Sequence, residues 1–217
     1  MSAHAQLLDL AAGAFLLAAV AILWRRDVRA QTAWLSVQGA ALAAIAVILG
    51  ADQAHPELYA VAAAVGLLRA VVLPALVRRA VTARAEDRES APLINVGASL
   101  LAAVALVLLA YAVAQPLVRL EATTAARALP VGLAVVLIGL LILVTRRKAL
   151  SQIVGFLLLD NGITAIAFLA AAGVPILVEF GVSFDLLLAV LVLRVLTARM
   201  RAVFGGSDLD EMRELHD

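Results

Sequence analysis

Long runs of apolar residues follow one another along the chain, separated by short connections that are polar or contain proline. Seven of these runs approach the roughly 20 residues that a helix needs to cross a hydrocarbon core of about 30 Å. Membrane β-strands would instead alternate polar and apolar residues, and lipid offers no partner for an unpaired backbone group. The pattern therefore predicts an all-α integral membrane protein with seven transmembrane helices, at residues 7–24, 33–50, 58–77, 93–113, 129–145, 150–172 and 175–198.

The composition supports a lipid environment. Of the 217 residues, 65% are hydrophobic and 15% are charged, whereas a soluble domain carries about 45–50% apolar and about 25% charged residues. The absence of cysteine excludes disulfides and cysteine-ligated iron–sulfur or zinc sites, and the three histidines fall at predicted ends or loops. We therefore expect no cofactor and no metal in this chain. The net charge of +1 gives no reason to expect a nucleic acid partner.

The basic residues are distributed unevenly between the two sides of the predicted helices. Thirteen of the 17 lysines and arginines follow the first, third, fifth or seventh helix. By the positive-inside rule, this asymmetry predicts that the N-terminus lies outside and the C-terminus lies in the cytoplasm. The thirteen residues are Arg25, Arg26, Arg29, Arg78, Arg79, Arg84, Arg88, Arg146, Arg147, Lys148, Arg199, Arg201 and Arg213.

The predicted helices divide the chain into three parts. Residues 1–128 form an N-terminal four-helix membrane part, residues 129–204 form a C-terminal three-helix part, and residues 205–217 form a cytoplasmic tail. The sequence shows no convincing internal repeat.

Charged side chains inside the predicted helices are the candidates for function. A charge at the centre of a bilayer costs about 2.5–3.5 kcal/mol even on insertion scales, so it usually faces protein or a water-filled cavity. Asp160 and Asp185 lie about ten residues from opposite ends of the sixth and seventh helices, so both fall near the midplane. Arg69 in the third helix lies at an overlapping depth. Two interpretations stay open: the carboxylates handle protons with Arg69 as electrostatic partner, or the charges only hold the helices together.

Other polar residues in the same helices are candidates for a supporting role. Asn161 follows Asp160 directly, and small residues on the face of Asp160 predict that this face contacts protein. Glu179 lies near the outer interface, where hydration explains its charge. Arg194 lies near the cytoplasmic end of the seventh helix, where its side chain is expected to reach the headgroups.

Four segments carry a family resemblance. The strongest are RRKALSQIVGFLLLDNGI at 146–163 and VPILVEFGVSFDLLLAV at 174–190, with LLRAVVLPALVRR at 67–79 and ESAPLINVGASLL at 89–101 as further support. These segments resemble the hydrogenase-4 component E family, a membrane subunit of formate hydrogenlyase-type and related energy-converting complexes. The resemblance covers about two-thirds of the chain.

The resemblance implies roles for the intramembrane charges. The last three helices of that family are similar to the K-type subunit of respiratory complex I, which carries two intramembrane glutamates. Asp160 falls on the first of these positions and Asp185 on the second. The family usually has glutamate at the position of Asp160. Where lysine is expected, this chain has Arg69, which cannot deprotonate and so fits an electrostatic role.

Taken together, these implied features describe a non-redox, multi-pass subunit of a bacterial or archaeal cell (inner) membrane that is not catalytic alone. Its expected partners are antiporter-like membrane subunits and a hydrogenase-like peripheral arm. It would couple redox chemistry to proton or sodium translocation through Asp160 and Asp185. Two alternatives stay open: an independent secondary transporter, which would commonly show inverted repeats and interrupted helices around a midplane site, and a purely structural scaffold subunit.

Overall fold

The computed structural model describes residues 3–53, 57–82, 95–120 and 123–170, and all regular structure in these ranges is helical. In chain order the helices are α1 (Ala3–Trp24), α2 (Val28–Gln53), α3 (Glu57–Val65), the π-helix π1 (Gly66–Val72), α4 (Leu73–Thr82), α5 (Val96–Leu120), α6 (Thr124–Thr145) and α7 (Ala149–Ala170). α3, π1 and α4 follow one another without interruption and together form what we call the third span.

Six of the seven predicted transmembrane helices lie in the described ranges except for residues 93–94 and 171–172, and each corresponds to a described span that is long and apolar enough to cross a membrane. The all-α prediction is confirmed for this part of the chain, and so is the presence of six helices long and apolar enough to span a membrane. The seventh predicted helix at 175–198 and the predicted tail at 205–217 lie outside the described residues. The orientation of the termini stays a prediction.

The connection between the fourth and fifth predicted helices is mostly helical, which corrects the sequence analysis. α5 continues through Pro116, and α6 begins at Thr124 rather than at residue 129. Thr123 caps α6, because its side-chain oxygen accepts a hydrogen bond from the Ala126 N–H at 3.1 Å. Polar residues need not end a helix here, since a helix can continue beyond the hydrocarbon core into the hydrated headgroup region. The predicted boundary between residues 128 and 129 consequently falls inside α6.

α6 and α7 pack against each other more extensively than any other pair of described helices. Glycine permits this contact. A Cβ added to Gly139 would lie 2.7 Å from the backbone nitrogen of Leu159, and one added to Gly162 would lie 2.7 Å from that of Val136. Small residues are the usual means by which membrane helices approach closely. The close contact fixes the height of α7 and therefore the height of the polar residues in its middle.

α2 occupies a central position in the described bundle, because it contacts α1, the third span and α7. The third span comes closest at Gly39, where an added Cβ would lie 2.5 Å from the carbonyl carbon of Arg69. α5, by contrast, packs on α6 and α1 and is the least buried of the six candidate spans. The bundle therefore has an enclosed centre around α2 and α7 and an outward apolar face on α5.

The α1–α2 and α6–α7 hairpins have the same layout. α1 ends at Trp24 and α6 ends at Thr145, while α2 begins at Val28 and α7 begins at Ala149. Residue numbers in the second hairpin are thus 121 higher than in the first (24 and 145, 28 and 149). The turns read WRRD and TRRK at equivalent positions.

The same hydrogen bond closes both turns. Gln31 Nε2 donates to the Arg25 carbonyl oxygen at 2.8 Å, and Gln152 Nε2 donates to the Arg146 carbonyl oxygen at 3.1 Å. Both turns lie at one end of the bundle, since Arg146 Nη2 donates to the Leu23 carbonyl oxygen at 2.6 Å. The two hairpins are therefore equivalent and cross the bundle in the same direction. The repeat was not predicted from the sequence, because a membrane helix can exchange one apolar residue for another and keep its length and apolarity.

Candidate functional site

Arg69 lies inside the bundle on a π-helical segment of the third span. In this segment the backbone bonds run five residues back, as when the Leu73 N–H donates to the Leu68 carbonyl oxygen. Pro74 lies two residues after the end of π1, and it has no N–H to donate to the Arg69 or Ala70 carbonyl oxygen. π-Helical turns are rare in proteins, and those that occur often lie at functional sites. Here the turn carries an arginine that is only 2% exposed.

The guanidinium of Arg69 contacts three side chains on one face of α7. Its Nη2 lies 2.6 Å from Asp160 Oδ2 and donates to Thr164 Oγ1 at 2.8 Å, while Nη1 donates to Asn161 Oδ1. Thr164 Oγ1 in turn donates to the Asp160 carbonyl oxygen at 3.0 Å. Positions 160 and 164 lie one helical turn apart, so a single planar cation can bridge them.

Gln38 on α2 extends this group of contacts. Asn161 Nδ2 donates to Gln38 Oε1 at 2.8 Å, so the Asn161 amide connects Arg69 with α2. Gln38 is fully buried, and its Nε2 has no hydrogen-bond partner among the described residues. Three spans therefore meet through one set of polar side chains. We call Gln38, Arg69, Asp160, Asn161 and Thr164 the Arg69 cluster.

The Arg69 cluster lies near mid-height in the bundle. Asp160 is close to the middle of α7, and Arg69 is close to the middle of the third span, whose apolar stretch is Leu58–Arg79. Gln38 lies inside α2 in the same way. If the spans cross a bilayer, the cluster falls in its hydrocarbon core, where a polar side chain needs a protein partner.

Burial determines what this site can do chemically. Arg69 and Asp160 have only 2% and 3% of their side chains exposed, and removing each ion from water costs several kcal/mol unless geometry and further hydrogen bonds offset it. Asn161 and Thr164 supply those further bonds to the cation. Asp160 is the one acid of the cluster, and arginine stays protonated in proteins. Any proton exchanged by the cluster would therefore be carried by Asp160.

The residues predicted from the sequence fall into two groups. The structure brings Arg69, Asp160 and Asn161 into direct contact. Asp185, Glu179 and Arg194 lie outside the described residues, so their positions and roles stay predictions.

Gln38 is the member of the cluster that the sequence analysis missed. It stands in the middle of an otherwise apolar run, where an amide side chain also needs a partner. A search of the predicted helices for every buried polar residue, rather than for charges alone, would have found it.

Arg146 is a second buried arginine, and the sequence analysis treated it only as a basic loop residue. It is 4% exposed, and its Nη2 donates to the carbonyl oxygens of Leu23 at 2.6 Å and Arg25 at 3.3 Å. Carbonyl groups at the end of a helix have no partners within the helix and favour a cation. Arg146 therefore caps the C-terminal end of α1 from the equivalent turn of the other hairpin.

Comparisons with known proteins find relatives that match nearly the whole chain. No family model and no solved structure matches it. The uncharacterised protein Rv0085 of Mycobacterium tuberculosis is 52% identical over 97% of this chain and 96% of that protein. Hydrogenase-4 component E of Escherichia coli K12 is 28% identical over 94% of both chains, as is that of Shigella flexneri. The chain therefore belongs to the same family as Rv0085 and is a distant relative of hydrogenase-4 component E.

Proposed function

We propose that this protein is a non-redox membrane subunit of a hydrogenase-4-like, energy-converting complex related to respiratory complex I. In this complex it couples redox chemistry, carried out by other chains, to the translocation of protons or sodium ions. The observation that carries the proposal is the buried Arg69–Asp160 pair at mid-height between α2, the third span and α7. The distant relation to hydrogenase-4 component E supports the class of complex.

Asp160 is the proton-handling group in this proposal, and Arg69 is its electrostatic partner. Protonation of Asp160 would remove the negative charge opposite Arg69, whose guanidinium would keep only the neutral acceptors on Asn161 and Thr164. The cation would then be under-compensated in a low-dielectric site and would attract a negative charge from elsewhere. The resemblance assigns that second carboxylate to Asp185, on the predicted seventh span.

The proposal includes the setting of the subunit. It spans the cell (inner) membrane of a bacterium or archaeon seven times, with its N-terminus outside and its C-terminus in the cytoplasm. Antiporter-like membrane subunits and a hydrogenase-like peripheral arm are its partners. The chain is not catalytic alone, and it requires the complex for its function.

The test compares ion pumping with redox turnover in sealed membrane vesicles that contain the whole complex. Asp160→Asn should lower the proton gradient formed per redox turnover, because the amide cannot exchange a proton. The substitution also leaves Arg69 without its counter-ion, so pumping and turnover are both expressed per assembled complex. Asp160→Glu should retain pumping, because glutamate keeps a carboxylic acid at this position. Asp9→Asn is a matched control, because it makes the same chemical change at an exposed carboxylate of α1. Unchanged pumping in Asp160→Asn would reduce the pair to a structural contact.

An independent secondary transporter is a second candidate, and the equivalence of the two hairpins favours it. Parallel repeats occur in several transporter folds, and their binding sites lie at the interface between repeats near the midplane. The Arg69 cluster also joins α2 of one hairpin with α7 of the other. The discriminating measurement is ion flux in liposomes that contain only this chain. Flux that depends on Asp160 would favour the transporter, whereas no flux alone and normal pumping in the complex would favour the subunit.

A further inference from the structure

Arg25 and Arg146 occupy equivalent positions in the two hairpins, but their side chains turn in opposite directions. Arg146 enters the bundle and caps α1. Arg25 stays exposed, with its Cζ 5.2 Å from the ring centroid of Trp24, which is itself 56% exposed. Arg26 is exposed as well, and neither Arg25 nor Arg26 forms an ion pair with any described residue. This end of α1 therefore presents two cations and an aromatic ring to its surroundings.

The nearest carboxylate in the sequence does not neutralise these cations. Asp27 is half-buried, and its Oδ1 accepts a hydrogen bond from the Arg29 backbone N–H at 3.0 Å. The side chain thus serves the first turn of α2 and holds the end of the α1–α2 turn in place. Among the described residues, the charges of Arg25 and Arg26 therefore have no carboxylate partner.

An apolar groove lies between α1 and α5, close to the end of α1 that carries Trp24. Val20 lies one turn before Trp24 on the same face of α1, and it forms one wall of the groove. The opposite wall belongs to α5, the least buried of the candidate spans, and is lined by residues that share one helical face. The α5 residues are Leu100, Ala103, Val104, Val107 and Leu108.

The geometry points to a binding site for an anionic phospholipid between α1 and α5, with an acyl chain in the groove and the phosphate held by Arg25 and Arg26. The lining of the groove is apolar, as an acyl chain requires, and its α1 residue Val20 lies about one helical turn before the end of α1 that carries the cations. Tryptophan is enriched at the level of the headgroups, and arginine binds phosphate oxygens through two parallel bonds. A zwitterionic lipid would bring a second cation next to Arg25 and Arg26, which favours an anionic headgroup.

The test uses the fluorescence of Trp24 as a local reporter of bound lipid. The chain has two tryptophans, so Trp34→Phe leaves Trp24 alone. The full chain is reconstituted into bilayers of phosphatidylethanolamine that contain either brominated phosphatidylglycerol or brominated phosphatidylcholine, because bromine quenches tryptophan at short range. The dependence of quenching on lipid composition gives the relative affinity of the two headgroups. Two arginines near the surface predict a preference for phosphatidylglycerol on the order of tenfold.

Matched variants separate a specific site from general attraction to the basic end of the bundle. Arg25→Gln with Arg26→Gln should abolish the preference. Arg147→Gln with Lys148→Gln removes the same amount of charge from the α6–α7 turn and should leave most of the preference for phosphatidylglycerol. Val104→Phe, which fills the groove from its open side, should lower quenching by phosphatidylglycerol while leaving both arginines in place. Equal quenching by the two lipids, or equal losses in the two charge variants, would overturn the proposal and leave the groove to a partner helix.

Discussion

The α1–α2 and α6–α7 hairpins share one layout but differ at mid-height, where the third span meets them. Asp160 on α7 has Gly39 on α2 as its counterpart (39 and 160 differ by the same 121), and Asn161 has Ala40. The backbone of Arg69 lies against Gly39, while its guanidinium reaches Asp160. The α1–α2 hairpin therefore lets the third span approach closely at a glycine, and the α6–α7 hairpin provides the carboxylate that pairs with Arg69.

The turns of the hairpins show the same division. Both contain two arginines after the first helix, and in both a glutamine closes the turn. Arg146 is buried against the carbonyl groups at the end of α1, whereas Arg25 is exposed beside Trp24. Equivalent positions in a repeat thus serve stability in one copy and remain available for binding in the other. Substitutions in the two hairpins test this division.

The largest effect is expected at the ion pair. Arg69→Leu leaves the carboxylate of Asp160 buried without a cation, and removing one partner of a buried pair costs about 3–5 kcal/mol. The double variant Arg69→Leu with Asp160→Leu should recover most of the loss, because an apolar pair of similar volume is often neutral or stabilising. Thermal unfolding of the purified complex would measure both. If the single and the double variant are equally unstable, the ion pair is not the source of the effect.

The second effect concerns the two equivalent arginines. Arg146→Leu removes a charged donor from carbonyl groups at the end of α1, and hydrogen bonds to charged groups contribute about 1.5–3 kcal/mol. Arg25→Leu should change stability by less than about 0.5 kcal/mol, because substitutions at exposed positions rarely do more. The two variants alter the same residue type at the same point of the repeat, so each is the control for the other. Equal losses would show that the buried contacts of Arg146 are not stabilising.

The third effect tests the close approach of α2 and the third span. Gly39→Ala places a Cβ 2.5 Å from a backbone carbon of Arg69, so a helix must shift. Overpacking of this kind costs about 1–3 kcal/mol. Gly13→Ala is the matched control, because a Cβ there meets nothing within 4 Å, and alanine favours a helix over glycine. Unfolding temperatures that change equally in the two variants would contradict the contact.

The sequence predicted some parts of this architecture and not others, for physical reasons. A helix that crosses a bilayer must be long and apolar, so the apolar runs of the sequence were enough to predict the spans in the described ranges. Asp160 and Arg69 were conspicuous because a charge is costly in lipid. Neither Gln38 nor the buried contacts of Arg146 was predicted. An amide costs less free energy than a charge inside a membrane, and a basic residue at a helix end is ordinarily explained by exposure to solvent. The repeat was hidden because its helices conserve apolarity and length rather than residue identity.

The smallest expected change in stability is at Gln38, and it distinguishes a positioning role from a purely structural one. Gln38→Leu removes the acceptor for Asn161 Nδ2, which is worth about 0.5–1.5 kcal/mol, but it also removes a buried Nε2 without a partner among the described residues. The two changes oppose each other, so the net loss of unfolding free energy should stay below about 1 kcal/mol.

In Gln38→Leu, Asn161 loses its hydrogen bond to α2, and its side chain can reorient beside Arg69. We therefore expect assembly and redox turnover to stay normal while the proton gradient per turnover falls. Gln152→Leu, at an exposed glutamine in the first turn of α7, is the control and should leave the gradient unchanged. A normal gradient in Gln38→Leu would show that the Arg69–Asp160 pair works without its connection to the first hairpin.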